Sequence, residues 1–155
     1  MQAIPSQVKQ MKTTSLATKG SLRLIIADDR DPAREGLKAF LAALDDEFHC
    51  KGNGLRRMPI CVVGEARDVL QAVQLVDTLH PDVVIMDVRM PGIDGIQATK
   101  MIKKRWPGVA IIILSFYGIY REEAKQAGAD AFFLKGCDPD ELLNCLIEIG
   151  LQLHE

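Results

Sequence analysis

Val83-Val84-Ile85-Met86-Asp87, followed at once by Val88-Arg89-Met90-Pro91-Gly92, decides the fold. A run of apolar, largely β-branched residues ends in a carboxylate, and a Pro-Gly turn follows. Such a run predicts a strand buried on both faces that delivers one acid to the C-terminal edge of a parallel sheet. Ligands of open α/β sheets bind at that edge.

Four more short apolar runs surround it. Leu22 to Ala27 ends in Asp28-Asp29; Ile60-Cys61-Val62-Val63 leaves through Gly64-Glu65-Ala66; Ala110 to Leu114 ends in Ser115; Ala131 to Leu134 ends in Lys135. Helical patterns alternate with them. Asp31-Pro32 opens the first, as an N-cap acid with proline in the first turn, and Leu37, Phe40, Leu41 and Leu44 carry it to about Asp45. Asp68 caps a second, with Val69, Ala72, Val73, Val76 and Leu79 inward and Pro81 as its stop. Asp94 caps a third, with Ile96, Met101 and Ile102 inward, ended by Trp106-Pro107-Gly108. A short fourth covers Tyr120 to Gln126, and a fifth starts at Asp138-Pro139 and buries Leu142, Leu143, Leu146 and Ile147. Five strands alternating with five helices predict an α/β domain, a parallel sheet with helices on both faces.

The pattern predicts one domain over residues 22–153, with a flexible tail over 1–21 and no output domain within this stretch, which is either a stand-alone unit or a fragment of a longer protein. Residues 45–58 show no clear period and contain Gly52-Asn53-Gly54, which predicts a surface insertion. The chain of 155 residues is long enough for one proper core, and 48% apolar with 26% charged residues is ordinary for a globular domain. A net charge of -2 gives no footprint for nucleic acid or an anionic membrane, and no apolar run is long enough to span a bilayer. The four cysteines form no C-x-x-C pair; Cys61 and Cys145 fall in apolar patterns and read as small core residues, consistent with a reducing cytoplasm. His49-Cys50 is a poor ligand pair, because neighbours in sequence point apart.

In a parallel sheet the strand ends converge, so Asp28, Asp29, Asp87, Ser115 and Lys135 gather at one edge. Clustered carboxylates repel unless a cation sits among them, and an all-oxygen set suits Mg²⁺. A carboxylate can attack phosphorus, and phosphoryl transfer needs chiefly positioning and charge neutralisation. An ammonium and a hydroxyl at hand complete the chemistry.

These blocks resemble the receiver domains of two-component response regulators. The resemblance rests on Ile26-Ala27-Asp28-Asp29, on Pro81 through Gly95 with its D-x-R-M-P-G-x-D-G stretch, on Leu114-Ser115, and on Ala127 through Lys135. It implies a CheY-like, flavodoxin-like (βα)5 fold with strand order 2-1-3-4-5. It implies Asp87 as phosphoacceptor; Asp28, Asp29, Asp87 and the backbone carbonyl of Arg89 as ligands of Mg²⁺ or Mn²⁺; Ser115 as switch hydroxyl; Lys135 as the family's cationic partner; and Phe132 as switch aromatic. The implied donor is a sensor histidine kinase or a histidine phosphotransfer protein, and the chain is a phosphoacceptor rather than an enzyme. The fourth helix, fifth strand and fifth helix would form the switched face, open to a partner or a homodimer. Ala33 to Leu37, Val63 to Ala66 and Asp138 to Leu143 are similar to NarL/FixJ-type receivers, which usually continue into a DNA-binding domain and regulate transcription.

Phe116 departs from the family, where something smaller follows the hydroxyl; it narrows access to Asp87, while Tyr117 and Arg89 stand where the family tunes loss of phosphate. Three rivals stand beside the resemblance. A haloacid-dehalogenase-like phosphatase would carry D-x-D after the first strand, which here reads Asp28-Asp29-Arg30. A nucleotide or flavin domain would need a glycine-rich phosphate loop, which is missing. A receiver-like interaction module that signals without phosphate is kept alive by Phe116.

Overall fold

The computed structural model describes residues 21–50 and 59–153. The tail and the 51–58 part of the expected insertion lie outside the described residues.

Five strands, β1 (Leu22–Ala27), β2 (Ile60–Ala66), β3 (Val83–Asp87), β4 (Ala110–Ser115) and β5 (Ala131–Leu134), form one sheet in the order β2-β1-β3-β4-β5. Every neighbouring pair is parallel. The helices are α1 (Asp31–Cys50), α2 (Val69–Leu79), α3 (Gly95–Arg105), α4 (Arg121–Gln126) and α5 (Pro139–Leu153), with a 3-10 turn over Gly118–Tyr120 leading into α4.

Alternation along the central strands builds two cores. Ile25, Ala27, Val84, Met86, Ile111 and Ile113 face one way, onto Val69, Ala72 and Val76 of α2, Ile96, Ala98 and Ile102 of α3, and Ala124 of α4. Leu22, Leu24, Ile26, Val83, Ile85 and Ile112 face the other, onto Leu41 and Leu44 of α1 and Leu142 and Leu146 of α5. Val83 through Met86 are therefore buried on both faces of the sheet, as their unbroken apolar run requires. Each such side chain contributes roughly 1.5–3 kcal/mol of apolar burial.

Local signals set the helix ends. Asp68 and Asp94 accept the backbone N–H of Gln71 and Gln97 at 2.8 and 2.9 Å, as N-caps. His80 ends α2 in the left-handed region, φ 47°, with its amide donating to the Val76 carbonyl at 3.0 Å, and Pro81 follows as the stop.

Several expectations are corrected. Asp31 lies inside α1 rather than capping it: the first helical bond runs from the Arg34 amide to the Arg30 carbonyl at 3.2 Å. α1 continues to Cys50, five residues beyond the predicted end at Asp45, since no glycine or proline intervenes before Gly52. The insertion at 45–58 is therefore helical over its first part. β2 includes Gly64, Glu65 and Ala66, because the ladder with β1 runs through to Ala27↔Ala66 after a one-residue bulge at Val63. Cys61 is exposed, lying near the start of an edge strand, and Cys145 is partly buried. Met101 points outward, and the inner face of α3 is completed by the small residues Gly95, Ala98 and Thr99. Leu143 and Ile147 are only partly buried.

Candidate functional site

The register places the strand ends beside one another: Ala27 pairs with Met86, Asp87 with Leu114, and Ser115 with Leu134. The residue following β1 thus stands next to the last residue of β3. Asp28, Asp29 and Asp87 each offer a carboxylate oxygen, and the three oxygens lie within 4.8 Å of one another. Asp28 is buried, Asp87 is nearly so and Asp29 is open to solvent.

Asp28 is held at every polar atom. Its amide donates to the Ala66 carbonyl at 3.0 Å, and its carbonyl accepts Arg34 Nη1 at 2.7 Å. Its Oδ1 accepts the Arg30 amide at 2.9 Å and its Oδ2 accepts Lys135 Nζ at 2.8 Å. Asp87 is held more loosely. Its Oδ1 accepts the Val88 amide at 2.9 Å, while its Oδ2 lies 3.7 Å from Lys135 Nζ. Burial pushes the Asp87 carboxyl above its ordinary range and the neighbouring Asp28 charge pushes the same way, against Lys135 and the backbone N–H groups of Val88 and Arg89. Asp87 is therefore a carboxylate short of positive charge. Three hard oxygen donors around one point, one of them facing water, fit a small divalent ion that keeps part of its hydration shell.

The other expected site residues divide. Lys135 lies between Asp28 and Asp87, and its amide donates to the Ser115 carbonyl at 2.8 Å, which ties β5 to β4 at the site. Ser115 is buried, and its Oγ accepts the Tyr117 amide at 3.1 Å. Asp29, Asp87, Arg89, Ser115, Phe116, Tyr117 and Lys135 share one cavity of about 290 Å³ with Arg30. Phe132 does not line it; its ring is buried in the core on the α2–α4 side, with the Arg121 guanidinium 4.8 Å from the ring centroid.

Phe116 is 56% exposed, and two cations flank its ring: Lys135 Nζ at 4.9 Å and Arg30 Cζ at 5.6 Å from the centroid. Arg89 Cζ lies 5.3 Å from the Tyr117 centroid, making a second cation–aromatic pair at the same mouth. The bulk at 116 thus stands beside the acids, held there by the charges around them.

Three further contributors carry little signal in the sequence. Arg30 lines the cavity, and nothing in its local pattern announces it. Arg34 lies three residues before Leu37 and seven before Leu41, so a charge on the apolar stripe of α1 was its available signal. Gly95 closes the D-x-R-M-P-G-x-D-G stretch with no signal of its own contact, yet a Cβ built on it would lie 2.0 Å from the Asp87 carbonyl oxygen.

Comparison with known proteins agrees with this geometry. The family model for the response regulator receiver domain matches residues 24–147. A transcriptional regulatory protein of Bacillus subtilis, YhcZ, is 39% identical over 124 residues, 79% of this chain and 52% of its own length. The chain spans about half the length of the first curated relatives it matches. Among solved structures, a LuxR-family two-component response regulator from Aurantimonas superposes with a TM-score of 0.71 at 29% identity, covering 85% of this chain and 86% of that one. The isolated receiver domain of RcsB from Salmonella enterica, solved with the phosphomimetic BeF3-, does so with a TM-score of 0.67 at 26% identity, covering 82% and 86%. A five-stranded parallel sheet in the order 2-1-3-4-5, with an acid cluster and a lysine at its carboxyl edge, therefore belongs to a chain of the response regulator receiver family of two-component systems.

Proposed function

We propose that Asp87 accepts a phosphoryl group from the phosphohistidine of a sensor histidine kinase or a histidine phosphotransfer protein. The observation that carries this is the three carboxylate oxygens within 4.8 Å of one another, with Lys135 Nζ between Asp28 and Asp87. An Asp87 oxygen attacks phosphorus, the bond from phosphorus to the donor nitrogen breaks, and its electron pair stays on the imidazole. Asp28, Asp29, Asp87 and the Arg89 carbonyl would hold Mg²⁺ or Mn²⁺, which when bound neutralises charge on the phosphoryl oxygens. Lys135, whose Nζ lies 3.7 Å from Asp87, would turn from Asp28 toward a second phosphoryl oxygen. Ser115 Oγ, which accepts from Tyr117, keeps its own proton free to donate to a third.

Drawing Ser115 toward the phosphoryl group disturbs β4 next to β5, where Phe132 is the switch aromatic, and so alters the face of α4, β5 and α5 toward a partner or a second copy. Arg121 moves with that switch, since it covers the Phe132 ring and its Nη1 donates to the Phe132 carbonyl at 3.3 Å. Phe116 and the Arg89–Tyr117 pair restrict the approach of small donors and of water, giving slow phosphorylation by small molecules and slow phosphate loss. The chain is then a cytoplasmic phosphoacceptor, and it regulates transcription if it works within a longer regulator such as its relatives. Among its described residues no helix is long and apolar enough to cross a membrane.

Incubation with a phosphorylated kinase or acetyl phosphate and Mg²⁺ should give a hydroxylamine-labile label that Asp87→Ala abolishes. A label that survives Asp87→Ala overturns the assignment. No label from any donor, with Mg²⁺ binding intact, selects instead the module that signals without phosphate, the reading that the exposed ring of Phe116 favours.

A further inference from the structure

We infer that Arg34 is a positioning residue of the acid site, acting through the backbone of Asp28 with Glu65 as its anchor. The inference rests on the reading of Asp28 as a metal ligand. Arg34 lies on α1 with its side chain only 7% exposed, and its three nitrogens reach three places. Nε donates to Glu65 Oε1 at 3.0 Å on β2, Nη1 to the Asp28 carbonyl at 2.7 Å, and Nη2 to Asp31 Oδ1. The bond to Asp28 is buried, so breaking it leaves an unpaired carbonyl beside the sheet edge.

The arrangement closes on itself. Glu65 directly precedes Ala66, whose carbonyl accepts the Asp28 amide at 3.0 Å. Asp28 is thus gripped on its amide side by β2 and on its carbonyl side by an arginine fastened to that strand. Lys38 Nζ donates to the other Glu65 oxygen at 2.9 Å, so the anchor is itself fixed. Only a planar fork with several donors can meet these acceptors together; a lysine, with one nitrogen, cannot. A carboxylate that must meet a metal within a few tenths of an ångström needs such support, and loss of outer partners typically weakens metal binding by about 10- to 100-fold.

The sign of the effect separates positioning from charge. Removing a nearby positive charge would by simple electrostatics tighten binding of a cation, whereas loss of positioning loosens it. Titration of the purified chain with MgCl2 by calorimetry should show Arg34→Met binding about tenfold more weakly than the wild type. Glu65→Gln should show a smaller loss, and the double variant should bind no more weakly than Arg34→Met, because the two residues act as one unit. Unchanged or tighter binding in Arg34→Met overturns the inference. If Arg34→Met does not fold, Arg34→Lys carries the same test, keeping the charge and losing the fork; wild-type affinity there overturns it. Amide hydrogen exchange without metal gives an independent readout: the Asp28 and Arg30 amides should exchange faster in the variant while the Ile85 amide of β3 does not change. Equal rates at Asp28 and Arg30 overturn the positioning role. A wild-type chain that takes up no Mg²⁺ would instead defeat the metal reading, leaving exchange to decide the role of Arg34.

Discussion

Asp87 receives less positive charge than its place demands, for Lys135 Nζ lies 2.8 Å from Asp28 but 3.7 Å from Asp87. Its carboxyl is raised by burial, so ionising it costs more in the folded chain than in the unfolded one. Asp87→Asn should therefore stabilise the metal-free protein at neutral pH, raising its melting temperature by a few degrees. The sign follows from proton counting: between the ordinary and the raised value the folded state holds more protons, so wild-type stability falls as pH rises through that window. The advantage of the variant should vanish below about pH 4, where both states are protonated. Melting curves of both proteins across that range check it; equal melting temperatures at neutral pH would contradict the burial argument. Gly95 acts on the same residue from behind. A Cβ there would lie 2.0 Å from the Asp87 carbonyl oxygen, which is backbone and cannot swing away. Gly95→Ala should cost about 1–3 kcal/mol and lower the labelling rate at Asp87 by tenfold or more. Urea unfolding and phosphorylation kinetics measure the two effects separately. Asp87, Asp28, Asp29 and Lys135 were legible because each follows an apolar run at a strand end, where period and topology fix the place. Gly95 and Arg34 were not, since their effect depends on which backbone atom lies across a gap, and sequence spacing does not encode that.

At the scale of elements, the connection leaving β4 sets two bulky rings at the mouth of the acid site. Ser115 ends the strand buried, and Phe116 turns out beside Lys135 and Arg30, with Tyr117 against Arg89. Cation–aromatic contacts at exposed sites contribute about 0.5–1 kcal/mol each, enough to bias the ring toward the mouth without sealing it. A flat ring beside the acids hinders a small donor that must enter the cavity more than a protein donor that brings its own complementary surface. Phe116→Ala should therefore speed labelling by acetyl phosphate several-fold and change transfer from a phosphorylated protein little. Equal acceleration by both donors, or by neither, would remove the ring from the role of access filter. Elements themselves were legible in proportion to how much packing decides them. β3 and β4, covered on both faces, match their apolar runs closely. β2 runs three residues longer than its apolar run because an edge strand is extended by its ladder and not by its hydrophobicity. α1 runs to Cys50 because no glycine or proline breaks it before Gly52.

Over the whole molecule, the site stands at the carboxyl edge of the sheet that separates the two cores. Ala27 and Met86 belong to the core beneath α2, α3 and α4, while Ile26 and Ile85 belong to the core beneath α1 and α5. The residues just beyond them, Asp28 and Asp87, stand past the last pair of the ladder joining β1 to β3 at the centre of the sheet. A cation held there by Asp28, Asp29 and Asp87 would offset the repulsion among the three carboxylates, and its binding energy would enter global stability. At a hundredfold excess over its dissociation constant a ligand specific to the folded state adds about 2.7 kcal/mol. For a domain of this size that is a rise in melting temperature on the order of 8 °C. MgCl2 should produce it and NaCl at equal ionic strength should not, because screening alone cannot replace a coordinated ion. Asp29→Asn should abolish most of the rise while leaving the metal-free melting temperature near that of the wild type, since Asp29 is exposed. A rise that persists in Asp29→Asn, or that NaCl reproduces, would place the ion elsewhere on the surface and separate the stability of the fold from the chemistry at Asp87.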